Sequence, residues 1–187
     1  MAVRGYFANI PSIEYGTKVA KNLLARPLIK EKILNNPNII YDYVIKDGER
    51  PDQIANDYYG NVNFVWLIFL TNSIVDPYYD WPLTSRQLEI FIKDKYGSVE
   101  ASKDNTSTTN IVHYKHNTKG TIISKDTYDS GAHTWSKLYG AQSQYTAVRQ
   151  YRYEVDRNEA KRTIKIVDSR VASTAFELLR EAMIEND

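Results

Sequence analysis

Apolar and polar positions alternate from Tyr41 to Lys46, placing Tyr41, Tyr43 and Ile45 on one face of a strand and Asp42, Val44 and Lys46 on the other. Asp47-Gly48 turns the chain, and Pro51 falls where a first helical residue loses nothing by lacking an N–H. Ile54, Ala55 and Tyr58 follow at helical spacing, and Gly60 is placed to end that helix. A second apolar helix is expected from Phe64 to Leu70, closing before Asn72, with a turn at Asp76-Pro77. The expected core of this compact unit is Tyr43, Ile54, Ala55, Tyr58, Trp66, Leu67 and Leu70.

The flanks carry weaker patterns. Tyr6, Phe7, Ile10 and Ile13 surround Pro11 without a sustained period, which predicts an extended arm that docks apolar side chains on another surface. Short helices are expected over Thr17–Ala25 and Leu28–Leu34, interrupted at Pro27. Thr84 and Gln87 have the spacing of a capping box, and Leu88, Phe91, Ile92 and Lys95 predict a helix over Ser85–Tyr96 ended by Gly97. That leaves the Tyr41 strand without a neighbour nearby, so its partner must come from elsewhere in the chain or from another protein. Residues 98–110 are polar and read as a flexible linker. Ile111–Tyr114 and Thr121–Ser124 flank a hairpin turn at Asn117–Gly120, and Lys125–Gln144 reads as loop. Val148–Val155 and Arg162–Val167 predict a second hairpin. Asp168 then caps a final helix lined by Val171, Ala172, Ala175, Phe176, Leu179 and Met183.

Tyr43-Val44, Asp47-Gly48, Ile54-Ala55, Tyr58 and the run from Asn72 through Ile74 to Asp76-Pro77 resemble a LysM module. With Tyr59-Gly60, Trp66-Leu67, Asp80-Trp81-Pro82 and Lys95-Tyr96-Gly97 added, the chain resembles the LysM-like baseplate wedge proteins of contractile-tailed bacteriophages. The strong part of that resemblance covers residues 39 to 97. The expected class is α+β: an N-terminal arm over 1–38, a LysM-like strand-helix-helix domain with an added helix over 39–97, a linker over 98–110, and hairpins plus a helix over 111–187. The resemblance implies a structural subunit of a tail baseplate wedge, assembled in the host cytoplasm and built into the virion. Its implied partners are other wedge subunits and hub or sheath-initiating proteins, in a hetero-oligomeric assembly. Tyr6, Phe7, Ile10, Tyr78, Tyr79 and Trp81 are the expected contact residues.

Charge and candidate chemistry change this picture little. Lys and Arg number 24 against 23 Asp and Glu, a net charge of +1, which gives no electrostatic footprint for nucleic acid or an anionic membrane. The absence of Cys excludes disulfides and thiol catalysis. No apolar run reaches membrane-spanning length, and no secretory signal follows Met1. Fifteen Tyr, 3 Trp and 5 Phe suit either a Tyr-rich core or an interface. His113, His116 and His133 read as exposed strand and loop residues, the first two pointing to opposite faces, and no metal or cofactor is expected. Glu49, Asp52, Asp57, Asp76 and Asp80 cluster as a glycosidase pair would require, but each falls at a turn or helix start where carboxylates bind backbone N–H groups. No enzyme is expected. The alternative is binding of N-acetylglucosamine polymers, as in peptidoglycan, in a groove made by Asp47–Asp52 and Ile74–Tyr79.

Overall fold

The computed structural model describes residues 12–21, 37–130 and 140–184. It has a mixed α and β architecture in two compact units, Met1–Pro82 with Lys161–Asp187, and Leu83–Ala160. The second unit is thus an insertion in the chain of the first. This division does not follow the expected boundaries at 38, 97 and 110.

The first unit contains β1 (Ser12–Tyr15) and β2 (Lys18–Lys21), an antiparallel hairpin turned by Gly16 at φ 63°. The helix expected from Thr17 is therefore replaced by strand as far as Lys21. The two-residue loop Gly16–Thr17 offers the chain a hairpin, and the positive φ is open to glycine at no steric cost. The remainder of that expectation, like the Leu28–Leu34 helix, lies outside the described residues.

The partner for β3 (Ile40–Val44) is β7 (Thr163–Val167), antiparallel, with Tyr41 opposite Ile166 and Tyr43 opposite Ile164. Arg162–Val167 therefore does not form a hairpin with the segment before it. Between these strands come α1 (Pro51–Tyr59) and α2 (Val65–Asn72), then the single turn α3 (Pro77–Asp80). Pro51 opens α1 and Gly60, at φ 71°, closes it. Contrary to the expected stop, α2 runs on through Asn72, because Ser73 takes the left-handed capping conformation at φ 58°. Ile54, Ala55, Trp66, Leu67, Ile68, Ile164, Ile166 and Val167 are buried together with Ala172, Ala175 and Phe176 of α8 (Ala172–Ile184). Asp168 caps the short 3-10 turn Ser169–Val171 that leads into α8, its carboxylate accepting from Arg170 N–H at 2.8 Å. The side chains of Leu179 and Met183 lie outside the described residues.

The second unit is built on α4 (Ser85–Tyr96), whose N-terminus has the Thr84–Gln87 capping box and whose C-cap is Gly97. Residues 98–110 are not a flexible linker: they carry α5 (Val99–Lys103), with Ser102 fully buried and donating to the Ser98 carbonyl at 2.7 Å. Asn110 fastens the far end, donating to the carbonyls of Ala101 at 2.9 Å and Asp104 at 2.7 Å. Polar composition here reflects side-chain bonding to backbone rather than solvation. A three-stranded sheet in the order β5 (Ile122–Ser124), β4 (Ile111–His116), β6 (Tyr145–Arg149) follows, with α6 (Lys125–Asp129) inside the stretch expected as loop.

The expected strand over Val148–Val155 is overturned beyond Arg149, where α7 (Gln150–Ala160) begins. Its buried residues are Glu154 and Asn158, one helical turn apart and both polar, so no apolar helical period marks it. Each has long-range partners instead. Glu154 Oε1 accepts from Lys95 Nζ at 2.8 Å and Tyr96 Oη at 2.7 Å. Asn158 receives the Leu83 N–H at 2.7 Å and donates to the Leu83 carbonyl at 2.9 Å.

Candidate protein interface

In the first unit the two-stranded β3–β7 ribbon has unlike edges. The Ile45 N–H donates to the Arg162 carbonyl at 2.9 Å and the Asp168 N–H to the Ile39 carbonyl at 2.8 Å. By the antiparallel alternation, Tyr41 and Tyr43 turn their backbone groups to β7, while Ile40, Asp42 and Val44 turn theirs outward. On β7 three of the outward groups are occupied. The Lys165 N–H and carbonyl bond the Asn72 side chain, both at 2.7 Å, and the Val167 N–H donates to Tyr59 Oη at 3.1 Å. On β3, among the described residues, no strand or side chain takes the outward groups.

The turn around α3 lies at the Arg162 end of this ribbon, because Lys161 Nζ donates to the Tyr79 carbonyl. Asp76 caps the turn by accepting the Tyr78 N–H at 2.9 Å, and Asp80 accepts the N–H groups of Val75 and Asp76. This acid-braced backbone holds Val75, Tyr78 and Tyr79 outward at 83%, 79% and 69% exposure. The two Tyr rings meet edge to face with centroids 5.1 Å apart. Val44, also exposed, is at the same end of the ribbon, opposite Thr163.

Trp81 differs from its two neighbours. Its indole N–H donates to the Glu49 carbonyl at 2.9 Å and its ring meets Phe69 edge to face, so it is half-buried within the unit. Tyr6, Phe7 and Ile10 lie outside the described residues. Of the expected core, Ile54, Ala55, Trp66 and Leu67 are buried, while Tyr43, Tyr58 and Leu70 are half-buried against the same cluster. Val44, Val75 and the exposed hairpin residues Tyr15 and Val19 were not singled out by sequence. Strand alternation assigns faces but does not show which edge lacks a neighbour.

The acidic residues are engaged locally. Glu49 accepts from Tyr43 Oη at 2.7 Å and from the Lys46 N–H at 2.9 Å. Burial, reinforced by that bond to Glu49, pushes the Tyr43 phenol up to about 12. Asp47 pairs with Arg162, Asp52 with Arg50, and Asp57 accepts from the Asn56 amide. Asp168 is held well below the ordinary carboxylate range by hydrogen bonds from the Arg170 side chain and backbone.

His116 departs from the expected exposure. It is buried, and its Nδ1 accepts the N–H groups of Thr118 at 3.1 Å and Lys119 at 3.0 Å, tying down the hairpin turn. His113 is half-buried against Tyr153, and its pKa is lowered by burial. His133 lies outside the described residues. Among the described residues, no cluster of three or more His, Asp or Glu side chains is arranged to hold a metal, and no helix is long and apolar enough to cross a membrane.

Among the described residues the outward side of β3 has no neighbouring strand, and Val75, Tyr78 and Tyr79 stand exposed at the Val44 end of the ribbon. Unpaired strand edges and exposed aromatics are features of surfaces that bind other polypeptides. The family model described as base plate wedge protein 53 matches residues 3–180. The chain belongs to that family. The match runs through both units and includes the hairpin and the α3 turn. Baseplate wedge protein gp53 of Enterobacteria phage T4 is 29% identical over 132 residues, which is 67% of this chain and 64% of that protein. The matched stretch therefore covers less than two thirds of that relative's length.

Proposed function

We propose that this protein is a non-catalytic structural subunit of a contractile phage tail baseplate, located in the virion and bound to neighbouring wedge proteins through its first unit. The observation that carries the reading is membership of the wedge family across residues 3–180. The surface supports it: Val75, Tyr78 and Tyr79 are exposed apolar groups on a braced turn, and Tyr and other aromatics are favoured anchors in interfaces. The strand, two helices and later antiparallel strand of this unit support a LysM-like arrangement in which β7 supplies the return strand.

Co-expression with the candidate wedge proteins of the same genome, followed by size exclusion, tests the role. A complex of fixed stoichiometry is expected, and Tyr78→Ala with Tyr79→Ala is expected to weaken it without loss of fold. Elution of the chain alone, with sedimentation on purified peptidoglycan, would overturn the reading in favour of wall binding. The engaged carboxylates of the Asp47–Asp52 and Asp76–Asp80 segments favour the first outcome, since each already has a partner within the unit.

A further inference from the structure

Two separate features of the first unit are incomplete in complementary ways. The β1–β2 hairpin has residues 12–20 all exposed, including Ile13, Tyr15 and Val19, and a two-stranded hairpin whose apolar side chains are left uncovered is marginal in water. The β3–β7 ribbon is likewise two-stranded: Asn72 and Tyr59 occupy part of its β7 edge, and among the described residues no strand or side chain takes the outward groups of β3. In a hairpin with a two-residue loop, Tyr15–Lys18 and Ile13–Ala20 exchange the hydrogen bonds. Val19 and position 21 then turn their backbone groups outward.

We propose that the β2 edge of one copy adds antiparallel to the β3 edge of a second copy, making a four-stranded sheet β1-β2-β3-β7 across two molecules. With Val19 opposite Val44, two valines exposed at 73% and 64% cover each other. The same register sets a lysine position, 21, opposite Asp42. Opposite charges directly across a strand pair are favourable, and like charges are not. Self-pairing of two β3 edges about their centre would set Asp42 against Asp42, so the charge pattern disfavours the two-fold alternative. The contact is head-to-tail, uses different surfaces on the two copies, and continues from copy to copy until a ring closes. The inference deepens the baseplate reading by naming a second copy as the partner of this edge.

The test exploits the absence of native Cys. Full-length Val19→Cys and Val44→Cys variants are mixed, alone and within the co-expressed wedge complex, and treated with a short bis-maleimide. A cross-linked dimer of one variant with the other is expected, and little or none from either variant alone. Asp42→Lys should cut the cross-linked fraction about five- to tenfold, and adding Lys21→Asp should restore it. An intrachain link in the double variant Val19→Cys/Val44→Cys would overturn the proposal by showing that the hairpin folds back on its own β3. Absence of any link between copies in a wedge complex that still forms would overturn it too, and would leave the edge to a different protein. If copies cross-link but the chain joins no other tail protein, the inference stands and the baseplate reading falls.

Discussion

Asn72 stands in for a neighbouring strand to Lys165. Its side-chain amide accepts the Lys165 N–H and donates to the Lys165 carbonyl, both at 2.7 Å, as a paired strand residue would. This blunts the β7 edge at Lys165, whereas among the described residues β3 has no neighbour on its outer side.

Asn72→Ala removes both bonds but leaves the freed backbone groups at an exposed edge, where water replaces them. The expected loss is about 1–2 kcal/mol in denaturant unfolding. The freed edge should also raise self-association, read by sedimentation. An unchanged sedimentation profile would show that blunting this edge is not needed to prevent pairing through β7.

Asn158 makes the same pair of bonds to Leu83, but it is only 4% exposed. Asn158→Ala should therefore cost more than Asn72→Ala, about 2–4 kcal/mol, because the Leu83 groups lose their partner beside a buried site with poor access to water. Parallel urea titrations of the two variants check the order.

Leu67 is fully buried in the middle of the α1–α2–β7 cluster, and Leu67→Ala should destabilise by about 2–5 kcal/mol through lost burial and the cavity left behind. A cost below 1 kcal/mol would mean that the cluster collapses around the gap.

The parts of this fold that the sequence announces are those with local punctuation. Pro51 and Gly60 bracket α1, and Thr84, Gln87 and Gly97 bracket α4, so both helices are readable without any tertiary knowledge. The pairing of β3 with β7 is not, since Tyr43 and Ile164 meet across the whole second unit and alternation carries no information about a distant partner. The helix α7 escapes for another reason. Its inward residues, Glu154 and Asn158, are polar, and only Lys95, Tyr96 and Leu83 make their burial tolerable. At the candidate interface, Tyr78 and Tyr79 were legible as aromatics in a turn. The Trp81 indole was not, because its partner is the backbone carbonyl of Glu49 rather than a side chain.

Glu154 gives the second unit an acid-sensitive element. Burial pushes its pKa up, but the bonds from Lys95 and Tyr96 outweigh this and leave it below the ordinary value. A carboxylate with a depressed folded-state pKa contributes stability that is present above its unfolded pKa and is lost as pH falls through the folded one. Glu154→Gln should cost about 1–2 kcal/mol at neutral pH, discounted because Lys95 is partly exposed. The gap between wild type and variant should shrink as pH drops to about 3. Denaturation at both pH values checks it, and a gap independent of pH would remove Glu154 as its source.

Tyr43 supplies the opposite sign at the alkaline end. Its phenol is pushed up to about 12 by burial and by the bond to Glu49, so the neutral form is the one the fold prefers. A group whose folded pKa is raised contributes stability that is present below the unfolded value of about 10 and is lost as pH rises through the folded one. Tyr43→Phe keeps the ring against the core and removes both the bond and the titration. It should cost about 1 kcal/mol at neutral pH. It should then lose less stability than wild type between about pH 10 and 12. Because Tyr43 joins the β3 strand to the Glu49 turn, the same variant should loosen that turn first, read as faster amide exchange at Lys46, whose N–H shares the Glu49 carboxylate. Exchange at Lys46 that matches wild type would show that Glu49 holds the turn without the phenol.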